Sequence, residues 1–275
     1  MTSLEITSEI HENKCPSVNQ SSQKNHVTEF KFQLPPYLVG KDEIEYDSDG
    51  DLILNREKEG TLLIEHSIST KLELVGLQVW RGSLLLADYI LSNQKIFENK
   101  KILELGSGVG LTSIVASFLA DQVICTDINL EGILQLIQRN FDRNSKFIRS
   151  KFNVMELNFL QTNWPSDVQE KFDESSIVLA ADVIYDDDIT RGFIETLKKL
   201  LHSKSSTKTI YVSLEKRYVF TVANLDSVAP MYEEFLRIIN QQKLPWIIEY
   251  LPLDFPQYFH YDRVDQMILM KIKRK

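Results

Sequence analysis

A chain of 275 residues, 43% of them hydrophobic, is long enough to bury one α/β core plus a small addition. Its net charge of −8 argues against non-specific nucleic-acid binding, which depends on neutralising phosphates, and suits a basic protein partner. No apolar run is expected to cross a bilayer, Met1 to Cys15 lacks the charged start and apolar centre of a signal peptide, and Cys15 and Cys125 support neither a disulfide framework nor a metal site. A soluble intracellular protein is the expectation.

Residues 1–26 are polar and aperiodic, which predicts a disordered tail. Phe30 to Leu38 reads as an extended arm, and Asp42 to Leu54 as an acidic hairpin turning at Asp49-Gly50. Counted from Asp47, those acids lack the glycine and the glutamate that an EF-hand requires, so they read as a turn. Thr61 to Ile68 and Lys71 to Val79 look like strands, and Ser83 to Ile96 like a helix capped by Ser83. Next comes Lys101-Ile-Leu-Glu-Leu-Gly-Ser-Gly-Val-Gly-Leu111, a short apolar strand, three alternate glycines and the start of a helix. Such a turn lets a ligand approach the main chain closely, and the helix start offers free N–H groups.

Beyond it, Leu111 to Leu119 marks a helix face, Gln122 to Asp127 a second strand, Leu130 to Phe141 another helix ending near Asn144, and Phe152 to Leu157 a third strand. Ser176 to Ala181 is a fourth strand, running into Ala181-Asp-Val-Ile-Tyr-Asp-Asp-Asp188 and a helix with Phe193, Ile194 and Leu197 on its apolar face. Thr209 to Leu214 is a fifth strand, Asp226 to Gln241 a long helix, and Trp246 to Leu251 and Gln266 to Ile272 a closing antiparallel pair. Alternating strands and helices predict parallel β-α units with ligands at the strands' carboxyl ends.

The ligand is narrowed by spacing and charge. A dinucleotide fingerprint would need glycine where Leu111 stands, and Glu104 beside the turn would repel a pyrophosphate but attract a cation. Asp127, at the end of the second strand, is the usual acceptor for ribose hydroxyls. A nucleoside with a positive group and no phosphate satisfies both acids, and S-adenosylmethionine is the obvious candidate. Asp182 and Tyr185 are expected near the same crevice, while Asp186 to Asp188 read as acids complementing a helix start.

From Glu43 to Lys275 the chain resembles the seven-strand methyltransferases, and within them the protein-lysine branch called methyltransferase family 16. The resemblance rests on Ile64-Glu-His66, Val75 to Leu91, Leu103-Glu-Leu-Gly-Ser-Gly-Val-Gly110, Cys125-Thr-Asp127, Ala181 to Asp188 and Ser213-Leu-Glu-Lys-Arg217. It implies a Rossmann-like α/β fold with a seven-stranded, mostly parallel sheet and an antiparallel C-terminal hairpin. It also implies an N-terminal β extension at 27–79 lying over the cofactor, and a catalytic domain at 80–275. By the same resemblance S-adenosyl-L-methionine would be bound by Trp80, Glu104, Gly106, Ser107, Gly108, Asp127, Ile128, Asn158, Phe159 and Ala180, with Asp182 and Tyr185 at the entry of the substrate lysine. Relatives carry Leu-x-Trp where this chain has Leu157-Asn158-Phe159.

The resemblance thus implies a protein-lysine N-methyltransferase, expected to be monomeric, without nucleic acid, metal or membrane as partner. It points to the nucleus, with the cytoplasm as a second place, and to a nucleic-acid-binding protein as target. The basic end Lys271 to Lys275 reads as a solvated strand end rather than a nuclear signal. A small-molecule amine methyltransferase and a catalytically silent S-adenosylmethionine-binding module remain as alternatives. Adenine-N6 chemistry is disfavoured because Asp182-Val-Ile-Tyr185 lacks prolines, and cytosine-C5 chemistry because neither cysteine is expected near the crevice.

Overall fold

Alternating apolar residues decide where the first strands form, and a computed structural model describes residues 5–10, 25–38, 49, 58–161, 163–202, 208–221 and 226–275. The acidic hairpin expected at 42–54 lies outside these apart from Asp49. The first element corrects the expected tail: β1 (Ile6–Thr7) is a short strand, and Ser8 beside it is fully buried. Then β2 (His26–Gln33) and β3 (Glu59–His66) form an antiparallel ribbon, with Phe30, Phe32, Leu62 and Ile64 turned inward. β4 (Ser69–Thr70) pairs with β1. Leu72–Leu77 is a 3-10 helix where a strand was expected.

The helix expected from Ser83 begins earlier. α1 (Arg81–Ser92) starts after Trp80, and the Ser83 hydroxyl, already inside the first turn, donates to the Trp80 carbonyl. Leu72–Ser92 is long and apolar enough to cross a membrane by composition, yet 67% of its apolar window is buried, as befits a core helix. Leu84, Leu85, Leu86, Ile90 and Leu91 are fully buried, each worth about 1.5–3 kcal/mol relative to exposure. After α2 (Gln94–Phe97) come β5 (Lys101–Leu105), α3 (Leu111–Ala116), β6 (Gln122–Asp127), α4 (Ile133–Arg143) and β7 (Lys151–Glu156). They are followed by α5 (Ser166–Glu174), β8 (Ile177–Ala181), α6 (Asp187–His202) and β9 (Thr209–Glu215). β10 (Val219–Thr221) and β11 (Asp226–Val228) form a small hairpin, so the last helix, α7 (Pro230–Gln241), begins at Pro230 rather than at Asp226. Proline suits that first turn, where its missing N–H costs no hydrogen bond. The chain closes with β12 (Trp246–Tyr250) and β13 (Met267–Arg274).

Seven strands join in the order β12-β13-β9-β8-β5-β6-β7, parallel from β9 to β7 and antiparallel at β13 and β12, which is the expected sheet. The chain leaves β5 towards β7 and returns to β8 on β5's other side, so a crevice opens between β5 and β8 at their carboxyl ends. Strand periodicity sorts the side chains: Ile102, Val123, Cys125 and Leu179 join the core under α1, α3 and α4, whereas Leu103, Leu105, Val178 and Ala180 join that under α6 and α7.

The β2-β3 ribbon shares the first core. Phe32 stacks on Phe259 with ring centroids 5.0 Å apart and meets Phe118 at 5.9 Å. Glu65 on β3 pairs with Arg139 and Arg143 of α4 at 2.8 and 2.7 Å, and these charges hold its carboxyl below the usual range. The loop before β13 is fastened to α1 by Asp88, which accepts from the amides of Tyr258 and Phe259, the Tyr261 hydroxyl and Arg263.

Candidate active site

Three glycines take the backbone through positive φ between β5 and α3, as their spacing predicted. At Gly106 (φ +64°) an added Cβ would lie 2.8 Å from Val183, and at Gly108 (φ +55°) 2.9 Å from the Gly76 carbonyl. The turn is tied sideways to β6: the Ser107 amide donates to the Thr126 carbonyl at 2.8 Å, and the Thr126 amide to the Ser107 hydroxyl at 3.1 Å. Asn140 of α4 donates to the Val109 carbonyl at 2.9 Å and accepts from the Glu65 amide at 2.8 Å, so the N-terminal ribbon supports the turn from behind. The ribbon itself does not line the cavity; of the extension at 27–79, it is the stretch after the ribbon that does. The cover is the 3-10 helix, whose Glu73 to Leu77 form one wall. Gly108→Ala is expected to destabilise the fold by about 1 kcal/mol or more through its left-handed φ alone. Thermal unfolding and a cofactor titration would show both losses together, because the new methyl also pushes on Gly76.

Two acids meet this turn. Asp127 accepts from the Gly108 amide at 2.7 Å and from the Ile128 amide at 2.8 Å, but burial still pushes its pKa up to about 6. Glu104 is 1% exposed and held by a very short hydrogen bond from the Ser113 hydroxyl. Burial outweighs that hydroxyl and those of Thr112 and Ser107, and raises its pKa to about 7. A cation seated beside Glu104 would restore the ionised form. The bare turn and the paired acids therefore fit a nucleoside with a positive group.

Asp182 occupies the far side in a left-handed conformation (φ +52°) that is strained for a residue with a side chain. Three main-chain bonds hold it there. Its amide donates to Ser213 O at 2.9 Å, and its two carboxylate oxygens accept from the amides of Gly82 and Glu215 at 2.6 and 3.0 Å. The residue expected at the entry of the substrate lysine thus braces the start of α1 against β9. Burial raises its pKa, opposed chiefly by the charge of Arg217. That guanidinium lies 4.3 Å from the centroid of the Trp80 ring, whose indole N–H donates to Val75 O at 2.8 Å. Tyr185 is pushed up to about 12 by burial and then by the charges of Asp127 and Asp186, so its phenol stays protonated at neutral pH.

The structure brings Trp80, Glu104, Gly106, Ser107, Gly108, Asp127, Ile128, Asn158, Phe159, Asp182 and Tyr185 to one cavity. Ala180 is the exception. It is fully buried in the core under α6, and Ala181 lines the cavity instead, because consecutive strand residues face opposite sides of the sheet. Sequence reading missed Glu73 to Gln78, Leu130, Ile133 and Ile189, which also line it. Gly76 was the available signal, a glycine set beside the glycine turn. The Phe159 ring lies 5.6 Å from that of Phe193. A second hollow shares Val75, Trp80, Asp182 and Tyr185 with the first and continues to Ile6, Arg217 and Tyr232.

Comparison with known proteins gives the family. Residues 57–236 match the model of a family described as lysine methyltransferase. The chain is 34% identical to methyltransferase-like protein 22 of Mus musculus over 92% of its own length and 68% of that protein's. It is also 34% identical to the Homo sapiens protein of that name, over 92% and 66%. It thus spans about two thirds of these relatives. A Xenopus tropicalis protein N-lysine methyltransferase is 30% identical over 56% of this chain and 69% of that one. Among solved structures, a ribosomal protein L11 methylase from Lactobacillus delbrueckii subsp. bulgaricus aligns with a TM-score of 0.44 at 13% identity, over 69% of this chain and 77% of that one. The chain belongs to the lysine methyltransferase family, and is by that membership an S-adenosylmethionine-dependent lysine N-methyltransferase.

Proposed function

We propose that this chain methylates lysine on a basic, nucleic-acid-binding protein of the nucleus, holding S-adenosylmethionine between Glu104 and Asp127 and the target amine between Trp80, Asp182 and Tyr185. The observation that carries the reading is the convergence of these five residues on one cavity around the bare glycine turn. A net charge of −8 supports a basic protein as target.

When bound, the cofactor supplies an activated methyl group. Glu104 would hold its cationic amino-acid end, Asp127 its ribose hydroxyls, and Phe159 the adenine side of the cavity. The residues then have to align an amine with that methyl and keep water out, which is the larger part of an in-line displacement. With a reference pKa near 10.4, about one lysine in a few thousand is neutral at pH 7. The aromatic walls of Trp80 and Tyr185 desolvate the ammonium and so favour loss of its proton to water. Tyr185, kept protonated, can donate no more than one hydrogen bond and serves to orient. Asp182 positions: its carboxylate holds α1, and through it Trp80, against the entry.

Incubation of the chain with labelled cofactor and a nuclear protein extract, followed by mapping of the labelled peptide, tests the reading. Label on a lysine of a basic protein is expected. Tight cofactor binding with no lysine labelled would overturn it in favour of a silent module, and label confined to small amines in favour of the other alternative.

A further inference from the structure

The second hollow is bordered by Ile6, on the short strand β1. Ile6 and Thr7 run antiparallel to β4, paired with Thr70 and Ser69, before the chain turns at Glu9-Ile10, and Ile6 lines the hollow beside Trp80, Asp182 and Tyr185. Gln78, 2% exposed, grips this segment by its main chain from both sides of its amide group. Its oxygen accepts from the Ser8 amide at 2.8 Å, and its nitrogen donates to the Ile6 carbonyl at 2.9 Å. The Ser8 hydroxyl donates to Val79 O at 2.5 Å, and Glu9 lies 3.7 Å from the Arg217 that covers the Trp80 ring.

The two Gln78 bonds read backbone, and the Ser8 hydroxyl and Glu9 add a small side-chain preference. Main-chain pairing at a strand edge is a general way to hold a peptide. Gln78 itself lines the first cavity, so a strand held here passes within one side chain of the place where methyl transfer is proposed. The segment from Glu5 to Ile10 contains no lysine. It therefore occupies a peptide-shaped site without offering an acceptor.

We propose that β4 and Gln78 form the subsite for the extended stretch of target protein next to its lysine, and that residues 5–10 fill this subsite as a tethered competitor. The proposal rests on lysine transfer at the first cavity. The hold is short, a two-residue ladder, the bonds of Gln78 and Ser8 and a part-exposed ion pair, and tethering adds to it an effective concentration on the order of millimolar. A target strand presenting the same main chain displaces the segment, frees Arg217 from Glu9, and brings its lysine to Trp80.

The test uses the full chain, its Ser8→Glu variant, which places an unpartnered charge against Val79 O, and the Ser8→Glu, Gln78→Ala double variant. The probe is a blocked synthetic peptide of Glu5–Ile10. It is expected to bind the Ser8→Glu chain about tenfold or more tightly than the unaltered one, whose subsite is filled in cis. The double variant should lose this binding. Ser8→Glu should leave cofactor affinity unchanged, raise labelling of a protein extract several-fold, and have that labelling suppressed by the peptide. Equal peptide binding by all three chains, or labelling by Ser8→Glu no faster than by the unaltered chain, overturns the proposal. If no chain labels any lysine while all bind cofactor, the transfer reading fails, and the peptide titration still decides the subsite.

Discussion

Replacing Glu104 with glutamine is expected to weaken S-adenosylmethionine binding by about ten- to a hundredfold at pH 8, the range that 1.5–3 kcal/mol for a hydrogen bond to a charged group implies. It should also flatten the pH dependence of binding. In the free chain burial raises the Glu104 pKa to about 7 and that of Asp127 to about 6. A carboxyl whose folded pKa is raised stabilises the folded chain below its unfolded pKa, and loses that contribution as pH rises through the folded value. Binding of a cation runs the other way. It requires ionised Glu104 and strengthens as pH rises through about 7. The gain in melting temperature on adding cofactor should therefore be larger at pH 8 than at pH 6 in the unaltered chain. In Glu104→Gln the two gains should be similar and small. Melting curves at both pH values, with and without cofactor, measure all of this, and an unchanged difference in the variant would show that Glu104 does not face the cation.

Asp182→Asn should lower stability and turnover together. The asparagine keeps one acceptor oxygen but presents an NH2 group to the second of two main-chain donors, Gly82 N or Glu215 N. One buried donor left unpaired costs about 1–3 kcal/mol. Asparagine tolerates the left-handed backbone of Asp182, so the loss reports the carboxylate and not the strain. Because α1 begins directly after Trp80, a loosened Gly82 moves a wall of the cavity, the one proposed to hold the target amine, and turnover is expected to fall about tenfold or more for each 1.4 kcal/mol of lost alignment. Cofactor affinity should change little, since Glu104 and Asp127 stand on other strands. Gly82→Ala provides an independent check: a Cβ there meets the Asp182 carboxylate, and the same pair of losses should result with the acid intact. Full turnover in both variants would remove Asp182 from the site.

Much of the site was legible because its signals are contiguous. The run from Lys101 to Leu111 carries strand, turn and helix start in one stretch, and a glycine at positive φ is a local steric matter. Gln122 to Asp127 likewise ends a strand in an acid at the spacing a βαβ unit demands. Failures fell where a local preference was overruled from afar. Lys71 to Val79 has the composition of a strand, yet it curls into a 3-10 helix, with Gly76 set against Gly108 and the Trp80 indole bonded to Val75 O. Residues 5–10 look like tail, yet Ile6 and Thr7 form a strand and Gln78 satisfies the Ile6 carbonyl and the Ser8 amide.

From the amino-acid order alone come the alternating β-α units with their closing antiparallel pair, the bare turn and the two acids beside it, since hydrophobic period, glycine sterics and strand-end position are properties of short stretches; the seven-stranded sheet came with the family resemblance. Tertiary structure alone decided that Asp182 clamps Gly82, 100 positions away, that Gln78 holds Ser8 from 70 positions away, and that Ala181 rather than Ala180 reaches the cavity. The first two depend on which main-chain donors and acceptors are left over once the sheet has closed, and the third on which strand face the cavity meets, and no local pattern encodes where a distant segment will lie.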